Sequence, residues 1–143
     1  MCGIAGLIHR GKSSSVGSEM TQMLQALKHR GPDSTGFAVY GEPVSAGDYI
    51  MRVKVAERED LDRGHGIMDR IAERVTQVES LLEQNGAKVK SRDDATDYAL
   101  RYVLTHSGDT EKMARLIEET EGVEILSMGN GLELIKDLSL IHI

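Results

Sequence analysis

One stretch, IMDRIAERVTQVESLLEQ, restricts the fold more tightly than any other part of this chain. Apolar residues recur at Ile67, Ile71, Val75, Val78 and Leu82, the spacing of one face of an α-helix. Gly86 supplies a stop, because glycine readily takes the positive φ that ends helices. A helix with one apolar stripe must lay it on another layer, and short apolar runs elsewhere in the chain read as strands. The pattern therefore predicts an α+β domain. At 143 residues the chain fits one domain, which would bury about 68–70% of its unfolded surface.

The N-terminal CGIAGLIH hardly alternates and reads as a strand buried on both faces. The Gly- and Ser-rich RGKSSSVGS follows as a loop, and Ser18 is the expected cap of a helix carrying Met20, Met23, Leu24 and Leu27 on one face. That helix should stop at KHRGP, with Gly31 and Pro32 as breakers. GFAVYG and DYIMRVKVA read as two strands joined by the turn-forming GEPVSAG. From Glu57 to Gly122 the pattern turns helical. Besides the helix above, DDATDYALRYVLTHSG reads as a second, with Ala95, Tyr98, Ala99, Tyr102 and Val103 on one face and Gly108 at its stop. Asp109 caps a third, which carries Met113, Leu116 and Ile117 and closes at Gly122. VEILSM, GNG and LELIKD then predict a β-hairpin.

Residues 138–143, LSLIHI, end the chain on an apolar run with no polar stop. They resemble translated sequencing-adapter DNA, so the native protein is expected to continue past a break near Asp137. A genuine terminal strand is the alternative.

Composition removes several function classes. Seventeen Lys and Arg against 23 Asp and Glu leave a net charge of −6, the wrong sign for a surface that displaces counterions from phosphate. No Trp and a single Phe, Phe37, leave little surface for stacking bases. The apolar run from Cys2 to Ile8 is too short to span a bilayer and lacks the basic leader of a signal peptide. The single cysteine excludes an internal disulfide and suits a reducing compartment, so the expected location is the cytoplasm. His9, His29, His65, His106 and His142 have no ligand spacing and no Gly-rich phosphate loop is present, so neither a metal nor a cofactor is expected.

Two segments carry chemistry when taken together. MCGIAGLI opens the chain, and LKHRGPDSTGFAVY follows about thirty residues later. Alone, the second is a helix end and a turn, and a lone cysteine is more often an inert small residue. In one register they resemble the class II glutamine amidotransferases, N-terminal-nucleophile hydrolases that release ammonia from glutamine. The likeness is close over residues 1–40. It implies an αββα sandwich, incomplete at the C-terminus of this chain, with residues 57–122 as a helical insertion inside a single domain spanning 1–143. It further implies that Cys2, exposed by removal of Met1, is the catalytic nucleophile.

The chemistry favours that position. A thiol of pKa about 8.5 is only a few per cent ionised at neutral pH and needs a base. An α-amine of pKa about 7.7–8.0 on the same residue is suited to take and return a proton. By the resemblance, Cys2 attacks the glutamine side-chain amide, forming a γ-glutamyl thioester that water later cleaves. Arg30 then orders the nucleophile, and Gly31 shapes the turn that brings Arg30 in.

The family also uses an arginine motif, on a strand and its following loop, that grips the substrate α-carboxylate, and an Asn-Gly pair that forms the oxyanion hole. RYVLTH, residues 101–106, is similar to the arginine motif but falls within the predicted helix. Asn130-Gly131 is similar to the oxyanion pair but falls at the predicted hairpin turn. The other expectation is that both parts lie beyond the break. The implied partners are glutamine and a separate synthase subunit or domain receiving ammonia, such as a glutamate-synthase-like enzyme. A catalytically silent scaffold with the same fold is the alternative reading.

Overall fold

A computed structural model describes residues 3–11, 14–30, 35–57, 60 and 66–137. The chain divides into two compact units, residues 37–135 and the remainder from both ends.

The larger unit is built on a four-stranded antiparallel sheet. Its strands are β2 (Asp48–Lys54), β3 (Lys88–Thr96), β4 (Ala99–Thr105) and β5 (Glu124–Gly129), in the order β3-β4-β2-β5. Between β2 and β3 lies helix α2 (Ile67–Gln84), and between β4 and β5 lies α3 (Thr110–Glu118). A separate two-stranded sheet pairs β1 (Thr35–Tyr40) with β6 (Leu132–Asp137).

Helix α2 forms where its periodicity requires it. Ile71, Val78 and Leu82 are buried, and Gly86 takes φ 76° as the chain leaves, its N–H donating to the Glu83 carbonyl at 2.9 Å. Helix α3 starts as expected, with the Asp109 carboxylate accepting from the Lys112 N–H at 3.0 Å, and Gly122 turns the chain beyond its end at φ 77°. Met113 and Ile117 point inward. These helices cover one face of the sheet. Met51 and Val53 of β2 and Leu100, Tyr102 and Leu104 of β4 meet them in a single apolar core. The buried Tyr102 hydroxyl donates to Glu79 of α2 at 3.2 Å, which satisfies the one polar atom that this ring brings inside.

Three sequence expectations change. The predicted helix over DDATDYALRYVLTHSG is a hairpin, β3 turning at Asp97 and Tyr98 into β4. Leu100, Tyr102 and Leu104 alternate with half-buried residues along β4, a period of two, and β4 hydrogen-bonds to strands on both sides. Tertiary pairing overrides a helical spacing set largely by Ala95, Tyr98 and Ala99. Residues 57–122 are therefore not helical throughout, because two of the four central strands lie within them.

The second change concerns the C-terminal strands. VEILSM and LELIKD are both strands but do not pair with each other, since β5 joins β2 and β6 joins β1. The Asn-Gly turn passes the chain between sheets, and the Leu134 N–H donates to the Ser127 hydroxyl at 2.9 Å rather than to a β5 carbonyl.

The third change lies in the smaller unit. Residues 3–10 form no strand, and Ile4 and Ile8 are 95% and 94% exposed. A buried strand needs a ladder partner, and no strand among the described residues pairs with this segment. Helix α1 (Val16–Leu27) follows, ending in a 3-10 turn at Lys28–Arg30. It begins two residues before Ser18, whose hydroxyl donates to the Ser15 carbonyl at 2.9 Å instead of capping the helix.

Candidate functional site

Cys2 and Gly31, expected as nucleophile and support, lie outside the described residues. Gly3, next to Cys2 in sequence, lies against the end of α1. A Cβ built on it would stand 3.4 Å from Leu27 Cβ and 3.5 Å from Arg30 Cβ. Arg30 is thus beside the residue that follows Cys2, on the 3-10 turn.

The larger unit holds the remaining candidates. RYVLTH occupies β4 and the start of the loop after it, because Arg101 to Thr105 are strand and His106 is the first residue beyond. Strands β4 and β5 both run antiparallel to β2, which lies between them. They are therefore parallel to each other, and His106 and Asn130-Gly131 leave the sheet at the same end. Sequence reasoning placed Arg101 in a helix. The signal that would have placed it on a strand is the alternation of Leu100, Tyr102 and Leu104.

Arg101 stands opposite Arg52 of β2 and Asp93 of β3, on the sheet face away from the helices. Two arginines directly opposite each other repel, and a carboxylate from β6 intervenes. Glu133 accepts from Arg101 Nε at 2.9 Å and Nη2 at 3.1 Å, and from Arg52 Nε at 2.6 Å. The Arg101 hydrogen bonds foremost, then Arg52, hold the Glu133 carboxyl below the usual carboxylate range, against the desolvation that opposes them. The same contact favours the charged form of Arg101. Arg101 Nη1 faces Asp93 Oδ2 at 3.6 Å, beyond hydrogen-bond reach. Neither Glu133 nor Arg52 is recognisable from sequence spacing, since both partners are set by strand register.

The far end of β4 is fixed by a second polar group. The Thr105 hydroxyl donates to Asp48 Oδ1 at 2.7 Å, and Lys90 Nζ donates to Oδ2 at 2.7 Å. Lys90 foremost and Thr105 next hold the Asp48 carboxyl below its ordinary range. The His106 N–H donates to the Gly47 carbonyl at 3.2 Å. His106 is 7% exposed, and neither ring nitrogen has a hydrogen-bond partner among the described residues. The ring fills the space beside Gly108, where a Cβ would come within 2.8 Å of Nε2.

Asn130 and Gly131 are tied by their carbonyls to the loop after β1. Val44 N–H donates to Asn130 at 2.7 Å, and Gly41 N–H donates to Gly131 at 2.9 Å. A Cβ on Gly131 would meet the Gly41 carbonyl oxygen at 3.5 Å and Pro43 Cα at 3.6 Å. The pair is therefore anchored on its acceptor side. No group of His, Cys, Asp and Glu arranged to hold a metal occurs among the described residues, and none of their helices is long and apolar enough to cross a membrane.

Comparison with known proteins adds two findings. A family model described as a glutamine amidotransferase domain matches residues 1–133. A protein of Methanothermobacter thermautotrophicus named "Putative glutamine amidotransferase" is 34% identical over 140 residues, which cover 96% of this chain and 43% of that protein. The chain thus spans less than half the length of this relative.

Proposed function

Because this chain belongs to the glutamine amidotransferase domain family, we propose that it is the glutaminase part of a class II, N-terminal-nucleophile enzyme that supplies ammonia to a separate synthase. The observation that carries this reading is the position of RYVLTH on a strand and its following loop, with Asn130-Gly131 leaving the sheet at the same end. That is where the class II resemblance requires the arginine motif. The αββα sandwich, with β1 and β6 as part of its second sheet, belongs to the same proposal.

In this mechanism Met1 is removed and the α-amine of Cys2 takes the thiol proton. The thiolate attacks the side-chain amide carbon of glutamine, and the carbonyl oxygen becomes an oxyanion, for which the Asn130-Gly131 pair is the proposed donor. Donors aimed at such an oxyanion contribute about 10²–10³ in rate each. The intermediate collapses with its C–N bond breaking. The leaving nitrogen takes the proton from the Cys2 ammonium and departs as ammonia. Water, deprotonated by the same amine, then cleaves the γ-glutamyl thioester, releasing glutamate and the thiol. Arg30 orders the nucleophile, Gly31 shapes the adjoining turn, and Arg101 binds the α-carboxylate through a charge-assisted hydrogen bond. Ammonia set free in water would be protonated, which is why a synthase must receive it directly.

The test is labelling of the full-length protein with a diazo-ketone glutamine analogue, read by intact mass. One label per chain on Cys2, in a polypeptide lacking Met1 and absent after Cys2→Ala, is the expected result. Full glutaminase turnover by protein that retains Met1 would overturn the mechanism. Glutamine turnover at background rate with Met1 removed would favour a silent scaffold.

A further inference from the structure

We propose that Glu133 is a positioning residue for substrate recognition, clamping one edge of Arg101 against Arg52 so that the Nη1 end, now facing Asp93, is the seat of the substrate's free α-carboxylate. The inference rests on the amidotransferase reading of Arg101 and adds how that arginine is aimed, and what occupies its seat when substrate is absent.

The two edges of the Arg101 guanidinium are held very differently. The Nε–Nη2 edge makes a paired contact with one carboxylate, whose side chain is only 16% exposed and which also holds Arg52. Such a fork fixes the plane of the guanidinium as well as its position. The Nη1 end faces a carboxylate at 3.6 Å whose side chain is 67% exposed. An exposed pair at that separation is weak and easily displaced.

Charge makes the exchange natural. Arg52 and Arg101 share one well-held carboxylate, Glu133, so the cluster retains a positive charge that the rim residue Asp93 offsets. A substrate carboxylate arriving at Nη1 replaces one anion with another, and the displaced Asp93 carboxylate, 67% exposed, is left to solvent. Glu133 keeps its place throughout. The ligand class is therefore an amino acid with a free α-carboxylate, and the same amino acid with that group amidated should bind poorly.

Steady-state kinetics of the full-length enzyme on glutamine and on its α-carboxamide test this. Glu133→Gln should raise KM for glutamine about tenfold, more than it changes kcat, and leave KM for the α-carboxamide nearly unmoved. Asp93→Asn lies on the exposed rim and does not depend on the clamp for folding. It should lower KM for glutamine roughly two- to fourfold, an effect that salt weakens. An equal change for both substrates in Glu133→Gln, or an unchanged glutamine KM in Asp93→Asn, overturns the proposal. Arg101→Met separates this from the underlying reading. If that variant keeps the preference for glutamine over the α-carboxamide, Arg101 is not the carboxylate site at all.

Discussion

The two faces of the four-stranded sheet are written by alternate residues of the same strands, yet they do opposite things. Toward the helices, β2 and β4 present Met51, Val53, Leu100, Tyr102 and Leu104, packed into one apolar core. On the other side the same two strands present Asp48, Arg52, Lys54, Arg101 and Thr105, each tied to a partner of opposite charge or a hydroxyl. The first face holds the domain together by removing apolar area from water. The second carries these charged and hydroxyl groups around the buried Ile50 and is partly open. Half-buried charges can be held there only because a rigid sheet, packed on its other side, fixes their spacing.

This contrast predicts a descending series of effects. Leu104→Ala empties a fully buried site on the helix face and should lower unfolding free energy by about 2–5 kcal/mol in urea titration. A loss below about 1 kcal/mol would mean that this face is not a close-packed core. Glu133→Ala acts on the polar face, leaving Arg52 and Arg101 opposed without their shared carboxylate. About 1–3 kcal/mol should be lost, less than for a deeply buried pair because these groups retain some solvent. If the double variant Glu133→Ala/Arg52→Met is no more stable than Glu133→Ala alone, repulsion between the arginines is not the cause. Asp109→Ala removes only the α3 cap and should cost about 1 kcal/mol, with no change in glutamine KM.

The smallest effect is a slope with pH. Glu133 titrates lower in the folded chain than in the unfolded one, so its contribution is complete above the ordinary glutamate pKa of 4.5. It is lost as pH falls from there through the folded value, because over that range the unfolded state holds a proton that the folded state does not. The slope is at most about 1.4 kcal/mol per pH unit for one proton. Urea midpoints collected between neutral and acid pH should show a shallower acid limb for Glu133→Gln than for the parent. Identical limbs would place the acid sensitivity in other carboxylates, such as Asp60, which Arg74 and the Glu57 N–H hold below the usual range.

Legibility varied with the kind of feature. Helix α2 could be read because its stripe runs unbroken for five positions, and α3 because Asp109 and Gly122 mark its ends. β2 was also readable, with Gly47 turning into it at φ 83°. β4 was misread because its apolar residues satisfy a period of two and, together with Ala95, Tyr98 and Ala99, also a helical spacing. The error carried into the site, since it set Arg101 aside for lying on a helix. Asn130-Gly131 reads as a hairpin turn in the sequence, but it is a bend between strands that join different sheets.

Some of this protein is determined by short-range pattern alone: where α2 and α3 run, where they stop, and which of their faces is apolar. The opening residues and the RGPDS motif likewise carry their family likeness without any coordinates. What the tertiary structure decided is which strand lies beside which, and hence that Arg52, Arg101 and Glu133 meet although Glu133 is 81 residues from Arg52 and 32 from Arg101. Helices close their hydrogen bonds within a few residues, so nearby sequence encodes them. A strand's partners are remote along the chain, and only the assembled core fixes its neighbours and its register.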